Sequence, residues 1–204
     1  MIIDAGPALN FFATNNEKLL LRVVGGYLSA PETVANEVAT KARRELRFRP
    51  AGLVWAKLTN ANRIEVLSDD ITDELASAVE RLTRMPMSER MSQAKDLGET
   101  MVVAHAVVAA RSGQDVAILV DDGGGAQMAE NERRRMERLR TQEQSAGSIS
   151  IYNTISVLMA AGKRRYVADK GEMRKVYEQL RGCDDGLVNI TQTPLLSVDV
   201  WAAE

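Results

Sequence analysis

Short apolar runs alternate with longer stretches of helical periodicity along this chain. Met1–Ile3 predicts a first strand. Pro7 and the ALNFFA stretch behind it predict a helix, since proline suits a first helical turn. Glu17–Val24 predicts a second helix, closed by Gly25-Gly26. Tyr27–Ala30 predicts a strand, and Pro31 opens a helix that runs to about Arg44. Ala51–Leu58 is weakly helical, and Arg63–Leu67 alternates polar and apolar positions like a short strand. Ile71–Met85 predicts an amphipathic helix with Leu75, Val79 and Leu82 on one face. Pro86–Lys95 predicts a loop, and Leu97–Ser112 a strong helix closed by Gly113. Val116–Val120 is the clearest strand. Ala126–Gln142 predicts a highly charged helix, Ser148–Tyr152 a last core strand, and Thr154–Ala161 and Gly171–Leu180 two further helices. Beyond Cys183 the pattern predicts irregular chain or a lone strand.

Strands alternating with helices argue an α/β fold with a short, mainly parallel sheet. A length of 204 residues favours one domain with additions and allows a substantial core. Hydrophobic residues make up 45% and charged residues 26%, as in ordinary globular proteins. The single cysteine, Cys183, excludes an internal disulfide and fits a reducing compartment. The N-terminus carries Asp4 among its apolar residues and does not read as a signal peptide. No apolar run reaches the ~20 residues of a membrane helix, so a cytoplasmic protein with no membrane partner is expected. Net charge is −2, so bulk charge does not announce nucleic acid. With one histidine, His105, zinc chemistry and histidine-based nucleophilic catalysis are poorly supported.

Carboxylates carry the candidate chemistry. In a parallel sheet, ligands bind outside the carboxyl ends of the strands. Asp4 ends the first predicted strand, and Asp121 and Asp122 end the Val116–Val120 strand. The helix opened by Pro31 leaves that same edge and places Glu37 within its first two turns. The Leu97 helix runs back into the Val116 strand, so its first turn, with Glu99, starts near the edge as well. Asp4, Glu37, Glu99 and Asp121/Asp122 can therefore converge. Carboxylates that close repel one another. Oxygen-only ligands suit Mg²⁺ or Mn²⁺, and such a metal activates water and stabilises charge on a phosphoryl oxygen. Bland roles compete: Asp96 and Glu99 have capping-box spacing, Asp-Gly is turn chemistry, and Glu37 could be a solvated helix residue.

With those positions fixed, the pattern resembles a PIN domain. "MIIDAGPALNFFA" resembles the family's opening strand and acid, "SAPETVANEV" its second motif with Glu37, "DLGETMVVAHAVVAA" a Gly-Glu variant of its third, "AILVDDGGGAQMA" its fourth, and "SISIYNTISVLMAAGK" its last core strand and helix. The likeness covers roughly residues 1–165 and is closest to compact bacterial PIN proteins related to VapC-type toxins. It implies a three-layer α/β/α sandwich over residues 1–182, with helical insertions at about 41–95 and 126–147 and a tail at 183–204. It also implies a Mg²⁺- or Mn²⁺-dependent endoribonuclease that hydrolyses RNA phosphodiester bonds, a homodimer, and an antitoxin partner in a toxin–antitoxin pair. Carried over by position, the metal ligands and catalytic acids are Asp4, Glu37, Glu99 and Asp122, with Asp121 as a neighbouring acid that assists in holding the metal. A basic residue often follows the fourth acid in related sequences, and here Gly123-Gly124-Gly125 stands instead. A PIN-fold RNA-binding or regulatory module with weak catalysis is the alternative.

Two basic runs bear on RNA. "KARRELRFRP" supplies Arg43, Arg44, Arg47 and Arg49 as candidate RNA contacts, and "ENERRRMERLR" supplies a second run. In the second, Glu130–Arg134 and Arg133–Glu137 are spaced to pair on a solvated helix. His105, in a small-residue helix, is expected to pack or to cap something nearby.

Overall fold

The computed structural model describes residues 1–121, 123–143, 145–184 and 186–201. Its strands are β1 (Ile2–Ile3), β2 (Leu28–Pro31), β3 (Ile64–Leu67), β4 (Val116–Leu119) and β5 (Ile149–Tyr152). They form one sheet of order β3-β2-β1-β4-β5, and every strand runs parallel to its neighbours. The chain is thus an α/β protein of the class expected for a three-layer sandwich, with a wholly rather than mainly parallel sheet. Parallel strands read as continuous apolar runs because both faces are covered. Ile2, Ile3, Ile118 and Leu119 are accordingly buried. The register sets Ile2 opposite Ile118 and Ile3 opposite Leu119.

The longer helices are α1 (Ala5–Ala13), α2 (Glu17–Val24), α3 (Glu32–Arg44), α4 (Arg49–Asn60) and α5 (Asp73–Thr83). After them come the one-turn α6 (Met87–Arg90), then α7 (Leu97–Arg111), α8 (Gly123–Glu143), α9 (Thr154–Lys163), α10 (Lys170–Arg181) and the one-turn α11 (Val198–Trp201). Three details differ from expectation. The predicted 86–95 loop holds α6, because Met87 is drawn into the core. Helix α8 starts at Gly123, so the three glycines are its first turn rather than a connecting turn. The tail is two 3₁₀ turns and α11, not a strand, and it buries Ile190, Leu195 and Val200.

Two compact units make up the chain. The first comprises Met1–Ala5, Ser29–Glu37 and Glu65–Tyr152, and so holds the sheet apart from Leu28 and Ile64. At its centre α7 packs on α5, α8, β1, β4 and β5. Ten of its fifteen residues are buried, which suits a helix apolar on all sides. Helix α8 buries only a narrow stripe, Gly125, Ala129, Glu132 and Met136, at helical spacing.

The second unit comprises Gly6–Leu28, Val38–Ile64 and Asn153–Glu204. Phe11, Phe12, Leu20, Leu158 and Tyr177 form its interior, and Phe12 meets Trp55 edge to face at 6.1 Å between ring centres. Helix α9 opens with a capping box between Asn153 and Ser156. The tail is docked here: the Trp201 indole donates to the Leu195 carbonyl at 2.8 Å. Gly162 sits so close to Val200 that a Cβ would meet it at 2.6 Å.

Candidate active site

The carboxyl edge of the sheet is built by backbone geometry first. The Asp4 N–H donates to the Leu119 carbonyl at 3.0 Å, which carries the β1–β4 ladder one residue past β1. The Asp4 carboxylate therefore emerges where the two strands end, and the residue is only 7% exposed. Helix α3 leaves the same edge directly after β2 and brings Glu37 round, half-buried. Helix α7 starts there too, running back along the sheet.

Gly98, in the first turn of α7, records how close these acids come. A Cβ on it would lie 3.1 Å from Glu37 Oε2 and 3.4 Å from Asp4 Oδ1. Both carboxylates thus lie beside the bare Cα of Gly98, each within reach of the place a methyl group would take. Gly125 plays a matching part for Glu99. A Cβ there would meet Glu99 Oε2 at 3.0 Å and its Cβ and Cγ at 3.1 Å. The glycine at the third position of α8 lets the Glu99 side chain lie flat on the helix start. This close approach explains why glycine, a weak helix former, stands in the first turn of a long helix. A first-turn N–H has no intrahelical acceptor to lose.

Sequence reasoning expected Asp4, Glu37 and Glu99 at one edge, and the structure brings Asp4 to Glu37 and lays Glu99 against α8. Asp121 is half-buried just past β4. Asp122, the expected fourth ligand, lies outside the described residues. Among the described residues, no group of three or more His, Cys, Asp or Glu side chains gathers as a metal centre. The donors that do converge, Asp4 Oδ1 and Glu37 Oε2, are hard oxygens of the kind Mg²⁺ and Mn²⁺ prefer. Two such oxygens beside one glycine fit such an ion in kind.

The capping-box role expected for Asp96 and Glu99 is not formed. Asp96 is left-handed at φ 53° and makes no side-chain cap. Its carbonyl instead accepts from the Thr100 N–H and hydroxyl. The loop before α7 is held by Arg90, which is buried and donates to the carbonyls of Gln93 and Lys95 at 2.6 and 2.7 Å and to the Thr100 hydroxyl at 3.1 Å. A buried guanidinium spent on loop carbonyls fixes the start of the helix that carries Gly98 and Glu99.

One functional candidate was not foreseen. Asp69, in the loop after β3, is 6% exposed. Its Oδ2 accepts the Thr33 N–H at 2.7 Å and the Thr33 hydroxyl at 2.5 Å, and its Oδ1 meets His105 Nε2 at 2.8 Å. Burial pushes the Asp69 carboxyl upward, but the hydrogen bonds from His105 and Thr33 outweigh it and hold the pKa below the ordinary value. Thr33 lies one turn before Glu37 on α3, and His105 lies on α7. Asp69 therefore clamps the two helices whose acids face the sheet edge. This is the capping partner expected for His105.

The basic residues separate into different cases. On α8, Glu130 binds Arg133 and Arg134 at 2.7 Å each, Arg133 also pairs with Glu137, and buried Glu132 binds Arg81 at 2.8 Å and Arg135 at 3.3 Å. Arg133 and Arg134 draw the Glu130 carboxyl down to about 2. In the second unit, Arg47 pairs with Glu45 at 3.1 Å and lies over the Phe48 ring at 4.7 Å. Arg43 donates to the Thr40 hydroxyl, Arg43 and Arg49 line a groove with Leu46 and Leu53, and Arg44 is exposed. No family model, curated protein or solved structure matches the chain.

Proposed function

We infer that the protein is a Mg²⁺- or Mn²⁺-dependent endoribonuclease of the PIN-domain kind, acting as the toxin of a toxin–antitoxin pair. The observation that carries this reading is the meeting of Asp4 Oδ1 and Glu37 Oε2 over the bare Cα of Gly98, at the carboxyl edge of a parallel sheet. Asp4 and Glu37 would hold the ion, with Asp122 and Asp121 as its further ligands. When bound, the ion supplies positive charge to the phosphodiester and the Lewis acidity that makes water nucleophilic at neutral pH. Glu99, against the start of α8, orients the attacking water and accepts its proton.

The test is RNA cleavage in Mn²⁺ by the wild type and by Asp4→Asn. The variant is expected to lose about 1000-fold in rate, as when a preorganised charge partner is removed. Cleavage that persists in Asp4→Asn overturns the reading. A second reading, an RNA-binding module with weak catalysis, draws on the glycines that replace a basic residue after Asp122 and on the two-carboxylate rather than three-carboxylate cluster among the described residues. It predicts RNA binding without cleavage in any divalent metal.

A further inference from the structure

We propose that the end of α2 forms a binding site for the phosphates of single-stranded nucleic acid, separate from the carboxylate edge. A cavity of about 440 Å³ there is lined by Lys18, Leu21, Arg22, Gly25, Gly26 and Arg63. Three cations and no carboxylate stand in its wall. Lys18, Arg22 and Arg63 are exposed, and none forms an ion pair among the described residues. Arg164 extends the patch by donating to the Val23 carbonyl at 2.8 Å.

Part of this charge has a structural task. Helix α2 ends in a left-handed glycine pair, with Gly25 at φ 88° and Gly26 at φ 87°. Arg164 satisfies the Val23 carbonyl, and Arg63 donates to the Gly26 carbonyl at 3.3 Å. Two guanidiniums suffice to close a helix C-terminus, whose dipole amounts to about half a charge. Lys18 and Arg22 are in excess of that need. The Arg22 guanidinium lies 4.2 Å from the centre of the Tyr166 ring, which orders it over an aromatic face while no protein acceptor among the described residues takes its N–H groups. Three cations with no acid among them raise the local potential, and the net charge of −2 conceals it. The depression is shallow and open, which suits an extended phosphate chain laid along it. Glycines and Leu21 give it no protruding apolar side chains of the kind a bilayer surface calls for.

The site does not depend on whether the carboxylates cut RNA, and the experiment keeps the two apart. Binding of a labelled single-stranded RNA of about 20 nucleotides is followed by fluorescence anisotropy over a salt series from about 50 mM. Lys18→Glu/Arg22→Glu is expected to weaken binding at least about tenfold and to flatten the log K against log salt slope by about 1.4, two phosphate contacts' worth. Arg134→Glu/Arg138→Glu on α8 is expected to bind like the wild type. The milder Lys18→Gln/Arg22→Gln serves the same purpose should the charge reversal fail to fold. Wild-type affinity and salt slope in the charge-reversed protein overturn the proposal. So does a wild type that ignores RNA but binds vesicles containing about 30% phosphatidylserine.

Discussion

Along α8, Glu130 meets Arg133 and Arg134 within hydrogen-bond distance, whereas at the carboxyl edge of the sheet Asp4 and Glu37 meet each other across Gly98. Both regions are acid-bearing, and both stand out in the sequence as charged stretches beside apolar ones. The difference lies in what each acid faces. On α8, bases one turn away along the same helix neutralise Glu130 and Glu137, and local spacing alone arranges it, while Glu132 adds Arg81 of α5. At the sheet edge the acids come from separate elements, and only the fold brings them together. Charge answered by its own helix is scaffold, and charge gathered from a distance is the stronger mark of a site.

Asp69 sharpens the contrast, since it is gathered from a distance and yet fully answered by Thr33 and His105. Asp69→Ala strands His105 and the Thr33 donors, and a loss of about 3 kcal/mol is expected by urea unfolding. The folded Asp69 pKa lies below its unfolded value. Its contribution is therefore complete above the unfolded pKa, near 4, and is lost as pH falls through the folded one. The urea midpoint of the wild type should drop below about pH 4 more steeply than that of Asp69→Ala. Parallel curves break the assignment.

Metal addition sets the two acid-bearing regions directly against each other. Mn²⁺ at a hundredfold excess over its Kd should stabilise the wild type by about 2.7 kcal/mol, several degrees in Tm. Asp4→Asn/Glu37→Gln should abolish the shift. An equal Mn²⁺ shift in both proteins would show that the ion binds elsewhere.

Gly98→Ala tests the cradle with a single carbon. The new methyl would press on both carboxylates, so metal-dependent cleavage should fall about tenfold, while the better helix former leaves Tm nearly unchanged. The smallest effect is expected at Glu130→Gln on α8. An exposed intrahelical pair contributes little, so cleavage, RNA affinity and the urea midpoint should all stay at wild-type values.

Much of this was readable in the sequence. Asp4 follows an apolar run that can only be a buried strand, and parallel pairing of β1 with β4 then fixes the edge. Glu37 and Glu99 follow from the direction in which their helices leave it. Asp69 was not readable, because it sits in a loop without periodicity and its two partners are each 36 residues away in the chain. The sequence pattern predicts this helix only from Ala126, and it begins at Gly123 instead, with the Glu99 side chain lying on Gly125. Lys18, Arg22 and Arg63 are scattered along the chain, and Arg164 stands in the short run Lys163–Arg165, so a scan for long basic clusters passes over them and stops at α8, where Glu130 and Glu132 already pair with arginines.

The docked tail has a practical consequence. Trp201 is one of two tryptophans in the chain, and its indole N–H is fixed to the Leu195 carbonyl. With Trp55 replaced by phenylalanine, emission from Trp201 becomes an intrinsic optical gauge of whether the last turn is seated. Gly162→Ala, whose methyl collides with Val200, offers a way to pry that turn loose and watch the spectrum move to the red.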